Sequence, residues 1–126
     1  MLLKTVELFN TDKDSLEFWS KKFQYVMVDE YQDTNHVQYK IIEMLAKEHK
    51  NICVVGDSDQ SIYSFRGADM RNIDEFDKDF VDAKTIVLDR NYRSTQKILD
   101  AANSVIACNK NRKSKNLWTE KTEGPE

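Results

Sequence analysis

Apolar and polar positions alternate in blocks along this chain, and two of the apolar blocks end on acids. Phe23-Gln24-Tyr25-Val26-Met27-Val28 is β-branched, aromatic or apolar at five of six positions, has no turn former, and stops at Asp29-Glu30. Such a run predicts a strand buried on both faces, as in a parallel sheet. Asn51-Ile52-Cys53-Val54-Val55 repeats the pattern and stops at Gly56-Asp57. Between them, Asn35 followed by Gln38 is a helix N-cap pair, and Val37, Ile41, Met44 and Leu45 recur at helical spacing. Strand, helix and strand within about thirty residues form a βαβ unit with parallel strands. Asp29-Glu30 and Gly56-Asp57 therefore fall along the same sheet edge, where open α/β sheets bind ligands.

The flanks carry weaker patterns. Leu2, Val6 and Phe9, then Leu16, Trp19 and Phe23, predict two short helices separated at Asn10-Thr11-Asp12. Met70 to Lys78 reads as a short polar helix and Lys84-Thr85-Ile86-Val87-Leu88 as a third strand. Ser94 or Thr95 is the expected cap of a last helix with Ile98, Ala102, Val105 and Ile106 as its buried stripe. Trp118 is expected to anchor the end of the chain on the fold, with Glu120 to Glu126 frayed.

Composition narrows the function classes. The 126 residues carry a net charge of −3 with 33% charged residues, which suits a soluble globular protein without a basic coat. Any nucleic-acid contact is then local. No apolar run reaches the ~18 residues of a membrane span, and Met1-Leu2-Leu3-Lys4 lacks the layout of a signal peptide, so a cytoplasmic location is expected. Cys53 and Cys108 have no CxxC spacing; Cys53 is expected in the core, and neither a disulfide nor a zinc site is expected.

Several stretches admit both a chemical and a plain reading. Asp29 and Glu30 are either solvated acids after a core strand or oxygen ligands for magnesium beside a polarised water. In Ser58-Asp59-Gln60-Ser61-Ile62-Tyr63-Ser64-Phe65-Arg66-Gly67-Ala68-Asp69, the two aromatics either pack under the sheet edge or, with Arg66, stack on unpaired bases and grip phosphates. Tyr92 and Arg93 sit between a strand and a helix N-terminus, a place to meet an anion, although Arg93 also suits a surface ion pair. Lys110, Arg112, Lys113 and Lys115 form either a solvated basic loop or a phosphate-tracking one.

Three stretches together narrow these choices: Val28-Asp29-Glu30-Tyr31-Gln32-Asp33-Thr34-Asn35, Val55 through Asp69, and Asn91-Tyr92-Arg93-Ser94-Thr95. In sequence, order and spacing they resemble consecutive motifs of the UvrD/PcrA/Rep group of superfamily 1 DNA helicases, and the similarity runs from Leu2 to Gly124. The resemblance implies an α/β fold with a parallel-sheet RecA-like core of the P-loop NTPase type, incomplete in this chain. It implies ATP and Mg2+ as cofactors, single-stranded and duplex DNA as partners, and 3′-to-5′ movement coupled to ATP hydrolysis in DNA repair or replication. By match, Asp29 is the magnesium-holding acid, with Glu30 beside it as general base. Gln60 senses the γ-phosphate; Tyr63, Phe65 and Arg66 contact single-stranded DNA; Tyr92 stacks on adenine and Arg93 reaches the γ-phosphate. Phe65 stands where many members carry tryptophan.

The family's Gly-x-x-x-x-Gly-Lys-Thr phosphate loop is not among these residues, whose three glycines are Gly56, Gly67 and Gly124. The expectation is a portion of a motor: residues 1–82 from the end of the first RecA-like domain, and 83–126 from the start of the second. Such a portion alone is expected to be inactive. The alternatives are a non-catalytic DNA-binding remnant of the fold, or part of a helicase–nuclease subunit.

Overall fold

A computed structural model of the chain describes residues 1–109 and 115–121. The chain divides into two compact units, Met1–Ala83 and Lys84–Glu126.

In the first unit, two parallel strands, β1 (Val26–Val28) and β2 (Ile52–Val54), pair with Val26 opposite Ile52, Met27 opposite Cys53 and Val28 opposite Val54. The helix joining them runs His36–Ala46, preceded in the chain by α1 (Leu2–Thr11) and α2 (Lys13–Lys22), and is therefore α3. Its start is the expected capping box: Asn35 Oδ1 accepts from the Gln38 N–H at 3.0 Å, and the Asn35 N–H donates to Gln38 Oε1 at 2.9 Å. Two of the orphan donors of a helix end are thereby satisfied reciprocally. α1 and α2 break at Asp12, whose carboxylate accepts from both the N–H and the hydroxyl of Ser15.

α3 is packed on two sides. Tyr39, Ile42 and Ala46 join Tyr31, Phe76, Phe80 and the strand residues Val26, Val28, Ile52 and Val54 in the core. Ile41 and Leu45 line a groove with Phe9, Trp19 and Phe23 of the first two helices and the residue following them. The Ser20 hydroxyl donates to the Leu45 carbonyl at 2.7 Å, tying α2 to α3. The stripe Val37, Ile41, Met44 and Leu45 is thus only part of the helix's packing surface. α4 (Arg71–Asp79) closes the unit by placing Phe76 against Phe80 and Tyr31, with ring centroids 4.9 and 5.9 Å apart.

The strands differ from expectation. They are three residues long, and one face only is covered: Val26 and Val28 are half-buried, whereas Tyr25 and Met27 are each 77% exposed. Cys53, expected in the core, pairs with Met27 on that same open face and is exposed and free. An apolar run on a strand reports what both faces could bury, and here helices lie against only one of them.

In the second unit, Lys84–Leu88 is not a strand. No backbone partner takes its hydrogen-bonding groups among the described residues, and Ile86, Val87 and Leu88 are exposed. β-propensity needs a neighbouring strand to become a ladder. The last helix, α5 (Gln96–Ile106), buries Leu99, while Ile98 and Val105 of the expected stripe face outward. Its N-cap Thr95 makes no side-chain cap bond. Instead Asn91 Oδ1, upstream, accepts from the N–H groups of Arg93 and Ser94 at 2.8 and 2.7 Å. Asn103 clamps Leu117 by two bonds, Nδ2 to its carbonyl at 2.9 Å and Oδ1 from its N–H at 3.2 Å. Trp118 does anchor the segment, bridging to Arg90 through its backbone. Lys110, Arg112, Lys113 and residues 122–126 lie outside the described residues. Among the described residues, no helix is long and apolar enough to cross a membrane.

Candidate functional site

The parallel register of β1 and β2 delivers Asp29-Glu30 and Gly56-Asp57 to one sheet edge. Both acids after β1 are exposed. Asp29 Oδ1 accepts from the Glu30 N–H at 2.8 Å, so the two residues form a tight local turn. Glu30 itself is held in the left-handed region at φ 50°, ψ 42°. For a residue with a Cβ this costs roughly 1–2 kcal/mol. The 3-10 turn Tyr31–Asp33 follows directly.

Gln60, thirty positions later in the chain, is joined to Glu30 by hydrogen bonds through two intermediates. Gln32 Nε2 donates to Glu30 Oε2 at 2.7 Å, and the Asp57 N–H donates to Gln32 Oε1 at 3.0 Å. Gln60 Nε2 then donates to Asp57 Oδ2 at 2.8 Å. Gln32 is the buried centre of this run, 2% exposed. Gly56 makes the approach possible: a Cβ there would stand 2.8 Å from Gln32 Oε1 and 3.2 Å from the backbone nitrogens of Tyr31 and Gln32.

The loop after Gln60 presents Tyr63, Phe65 and Arg66. They do not pack under the sheet edge; Phe65 is 76% exposed. The Arg66 guanidinium lies 5.1 Å from the Tyr63 ring centre and 5.4 Å from that of Phe65, making one cationic and aromatic surface. Gly67, at φ 90°, turns the chain back. The loop's far end is fastened to the acidic loop: Asn35 bridges to Ala68, and the Thr34 carbonyl accepts from the Asp69 N–H at 3.0 Å and from Asn72 Nδ2 at 2.9 Å. Asn72 is fully buried, and its carbonyl also takes the Tyr31 hydroxyl. Burial, then the carboxylates of Glu75, Asp79 and Asp77, push that hydroxyl's pKa upward.

Tyr92 and Arg93 belong to the second unit, on the turn leading into α5, and both are exposed. Arg90 lies 4.9 Å from the Tyr92 ring centre and 5.4 Å from that of Trp118, and it pairs with Glu120.

The oxygen donors fit a hard cation. Among the described residues there is no group of three or more side chains able to hold a metal. The exposed carboxylates of Asp29 and Glu30 instead match the one or two acids that magnesium takes when water and phosphate oxygens complete its shell.

Asp29, Glu30, Gln60 and the aromatic–arginine cluster stand out in the sequence, whereas Gln32 and Asn72 do not. The signal for Gln32 was an amide, able to donate and accept at once, placed two residues after an acid at a strand end.

These acids and the tethered glutamine stand at the strand ends of a parallel βαβ unit, where open α/β sheets bind ligands. A family profile for the UvrD/REP helicase N-terminal domain matches residues 1–81, and one for the UvrD-like helicase C-terminal domain matches residues 86–126. The chain belongs to the UvrD/REP helicase family. It is 56% identical over 124 residues to a protein of Bacillus subtilis (strain 168) named ATP-dependent DNA helicase PcrA; the match covers 98% of this chain and 17% of that protein. The proteins of the same name from Staphylococcus aureus (strain Mu50 / ATCC 700699) and Staphylococcus epidermidis are 55% and 54% identical over equal shares. The chain thus spans about a sixth of the length of the curated relatives it matches, at 17%.

Proposed function

We propose that the chain is part of an ATP-dependent 3′-to-5′ DNA helicase or translocase acting in DNA repair or replication in the cytoplasm. Residues 1–82 are the end of its first RecA-like motor domain and 83–126 the start of its second. The observation that carries this reading is the hydrogen-bonded run from Glu30 through Gln32 and Asp57 to Gln60, with an exposed aromatic–arginine surface on the same loop. Further strands of the RecA-like sheet then pair at the outer edges of β1 and β2, and the open face of Tyr25, Met27 and Cys53 is where its remaining helices pack.

Phosphoryl transfer needs a placed water, charge neutralisation and little covalent chemistry from the protein. Asp29 and Glu30 would hold magnesium, which when bound would offset charge on the phosphate oxygens. Glu30 accepts the proton of the attacking water. Gln60 contacts the γ-phosphate, and because it is tied to Asp57 and leads directly into the Tyr63–Gly67 loop, a change at the phosphate reaches the DNA surface. Tyr63 and Phe65 stack on bases while Arg66 holds a phosphate. In the second domain, Tyr92 offers its ring to adenine and Arg93 its guanidinium to the γ-phosphate.

The full-length protein tests this directly. Glu30→Gln is expected to abolish ATP hydrolysis stimulated by single-stranded DNA while ATP binding persists, and retained turnover would refute the assignment. Replacing Phe65 and Arg66 by alanine is expected to weaken single-strand binding, at ~1–3 kcal/mol per stacked base, with basal ATPase intact. Since the phosphate loop is not among these 126 residues, the chain by itself is expected to hydrolyse no ATP.

A further inference from the structure

We propose that Gln32 is a positioning residue for ATP hydrolysis: its amide holds the Glu30 carboxylate and couples it to the Asp57–Gln60 pair. The proposal rests on the reading of Glu30 as the base, and extends it to the buried side chain that holds that base.

The geometry decides which way the amide faces. The Asp57 backbone N–H, 3.0 Å away, can only donate, so it must meet the amide oxygen. The amide nitrogen is then left facing Glu30 Oε2 at 2.7 Å, where a carboxylate can only accept. Both ends of the buried side chain are thus used, and neither bond survives a flip. If Gln32 served merely to satisfy the Asp57 N–H, its oxygen alone would be required and the nitrogen would have no specified neighbour. The missing Cβ at Gly56, 2.8 Å from Gln32 Oε1 if it existed, keeps the slot open for this one side chain.

The consequence for Glu30 is orientation. Its side chain is exposed and long, so without a tether the carboxylate would sample many rotamers and rarely face a water. A charge-assisted bond from the Gln32 amide to Oε2 fixes the direction of the carboxylate. Gln32 also receives the Ser61 hydroxyl on its backbone carbonyl at 3.4 Å, so the segment that follows Gln60 leans on the same residue.

Gln32→Glu in the full-length protein separates the two halves of the amide. It keeps the length, the shape and the acceptor for the Asp57 N–H, and replaces the donor to Glu30 by a second carboxylate oxygen. The expected result is a kcat for DNA-stimulated ATP hydrolysis lowered ~10- to 100-fold, with KM for ATP and the Kd for single-stranded DNA within about twofold of wild type. Adding Glu30→Gln to this variant is expected to cost far less than the same change costs the wild type, because the base is already misplaced. A wild-type kcat in Gln32→Glu, with Glu30→Gln alone inactive, overturns the positioning role and leaves the assignment of Glu30 standing. Turnover retained in Glu30→Gln overturns both. Gln32→Met, uncharged and of similar length, serves if the glutamate variant does not fold; it is expected to show the same fall in kcat at unchanged KM. A rise in KM with kcat preserved, or failure of both variants to fold, assigns Gln32 to structure and overturns the proposal.

Discussion

At the scale of single residues, the site is built from two backbone exceptions. Glu30 carries a side chain in the left-handed region, and Gly56 carries none where one would collide. Gly56→Ala forces a methyl to within 3.2 Å of two backbone nitrogens and 2.8 Å of the Gln32 amide oxygen. Backbone cannot yield as a flexible side-chain end can, so the expected cost is ~1–3 kcal/mol from overpacking. Because the collision falls on Gln32, ATPase activity is expected to drop further than thermal stability alone would explain. Thermal melts and steady-state ATPase on the same preparation check this, and a variant with wild-type turnover would place Gln32 elsewhere. Gly67 is needed for another reason. Nothing lies within 4 Å of its would-be Cβ, but φ is +90°, so Gly67→Ala strains the turn without touching the acid loop.

At the scale of elements, what was legible in the sequence is what is local in the chain. The capping box of α3 needs only Asn35 and Gln38, three positions apart, and both bonds are present. The parallel edge carrying Asp29-Glu30 and Gly56-Asp57 followed from one βαβ pattern. The second packing surface of α3, through Tyr39 and Ala46, depends on where α4 comes to lie. Leu99 displaced Ile98 and Val105 inside α5 because the segment returning through Leu117 and Trp118 covers one side of that helix, a contact made by Asn103 across fourteen positions. The bond from Gln32 to Asp57 spans twenty-five positions and leaves no periodicity to find. The start of α4 makes a further test. Asp69 Oδ1 accepts from the Arg71 N–H at 3.0 Å, and the Arg71 side chain grips the same carboxylate. These bonds hold Asp69 at about 2, below its ordinary 3.8. A depressed carboxylate stabilises the fold fully above its unfolded pKa, and that contribution fades as pH falls from about 3.8 towards 2. Asp69→Asn keeps the acceptor for the Arg71 N–H and removes the charge. The difference in Tm between wild type and variant is therefore expected to shrink between pH 4 and pH 2. Arg71 is largely exposed, so the effect is small. A difference constant across that window would mean the ion pair contributes nothing.

At the scale of the whole molecule, the consequence of a half-covered sheet is association. Strand alternation puts Tyr25 and Met27 of one strand line beside Cys53 and Val55 of the other, and all four are exposed. Beyond β1 and β2 the described residues supply no further strand, so both outer edges keep unpaired N–H and C=O groups. Ile86, Val87 and Leu88 of the second unit add a continuous exposed apolar run. A contiguous apolar patch with open strand edges is the arrangement that pairs with another copy. The 126-residue polypeptide prepared by itself is therefore expected to self-associate with rising concentration in sedimentation velocity runs. Met27→Lys together with Leu88→Lys places a charge on each surface and is expected to return it towards monomer. Leu3→Lys, on an exposed position of α1 away from the strands, serves as the control that leaves association unchanged. A polypeptide that stays monomeric at every concentration, or an α1 change as effective as the strand change, would mean that the open sheet face is not what drives contact.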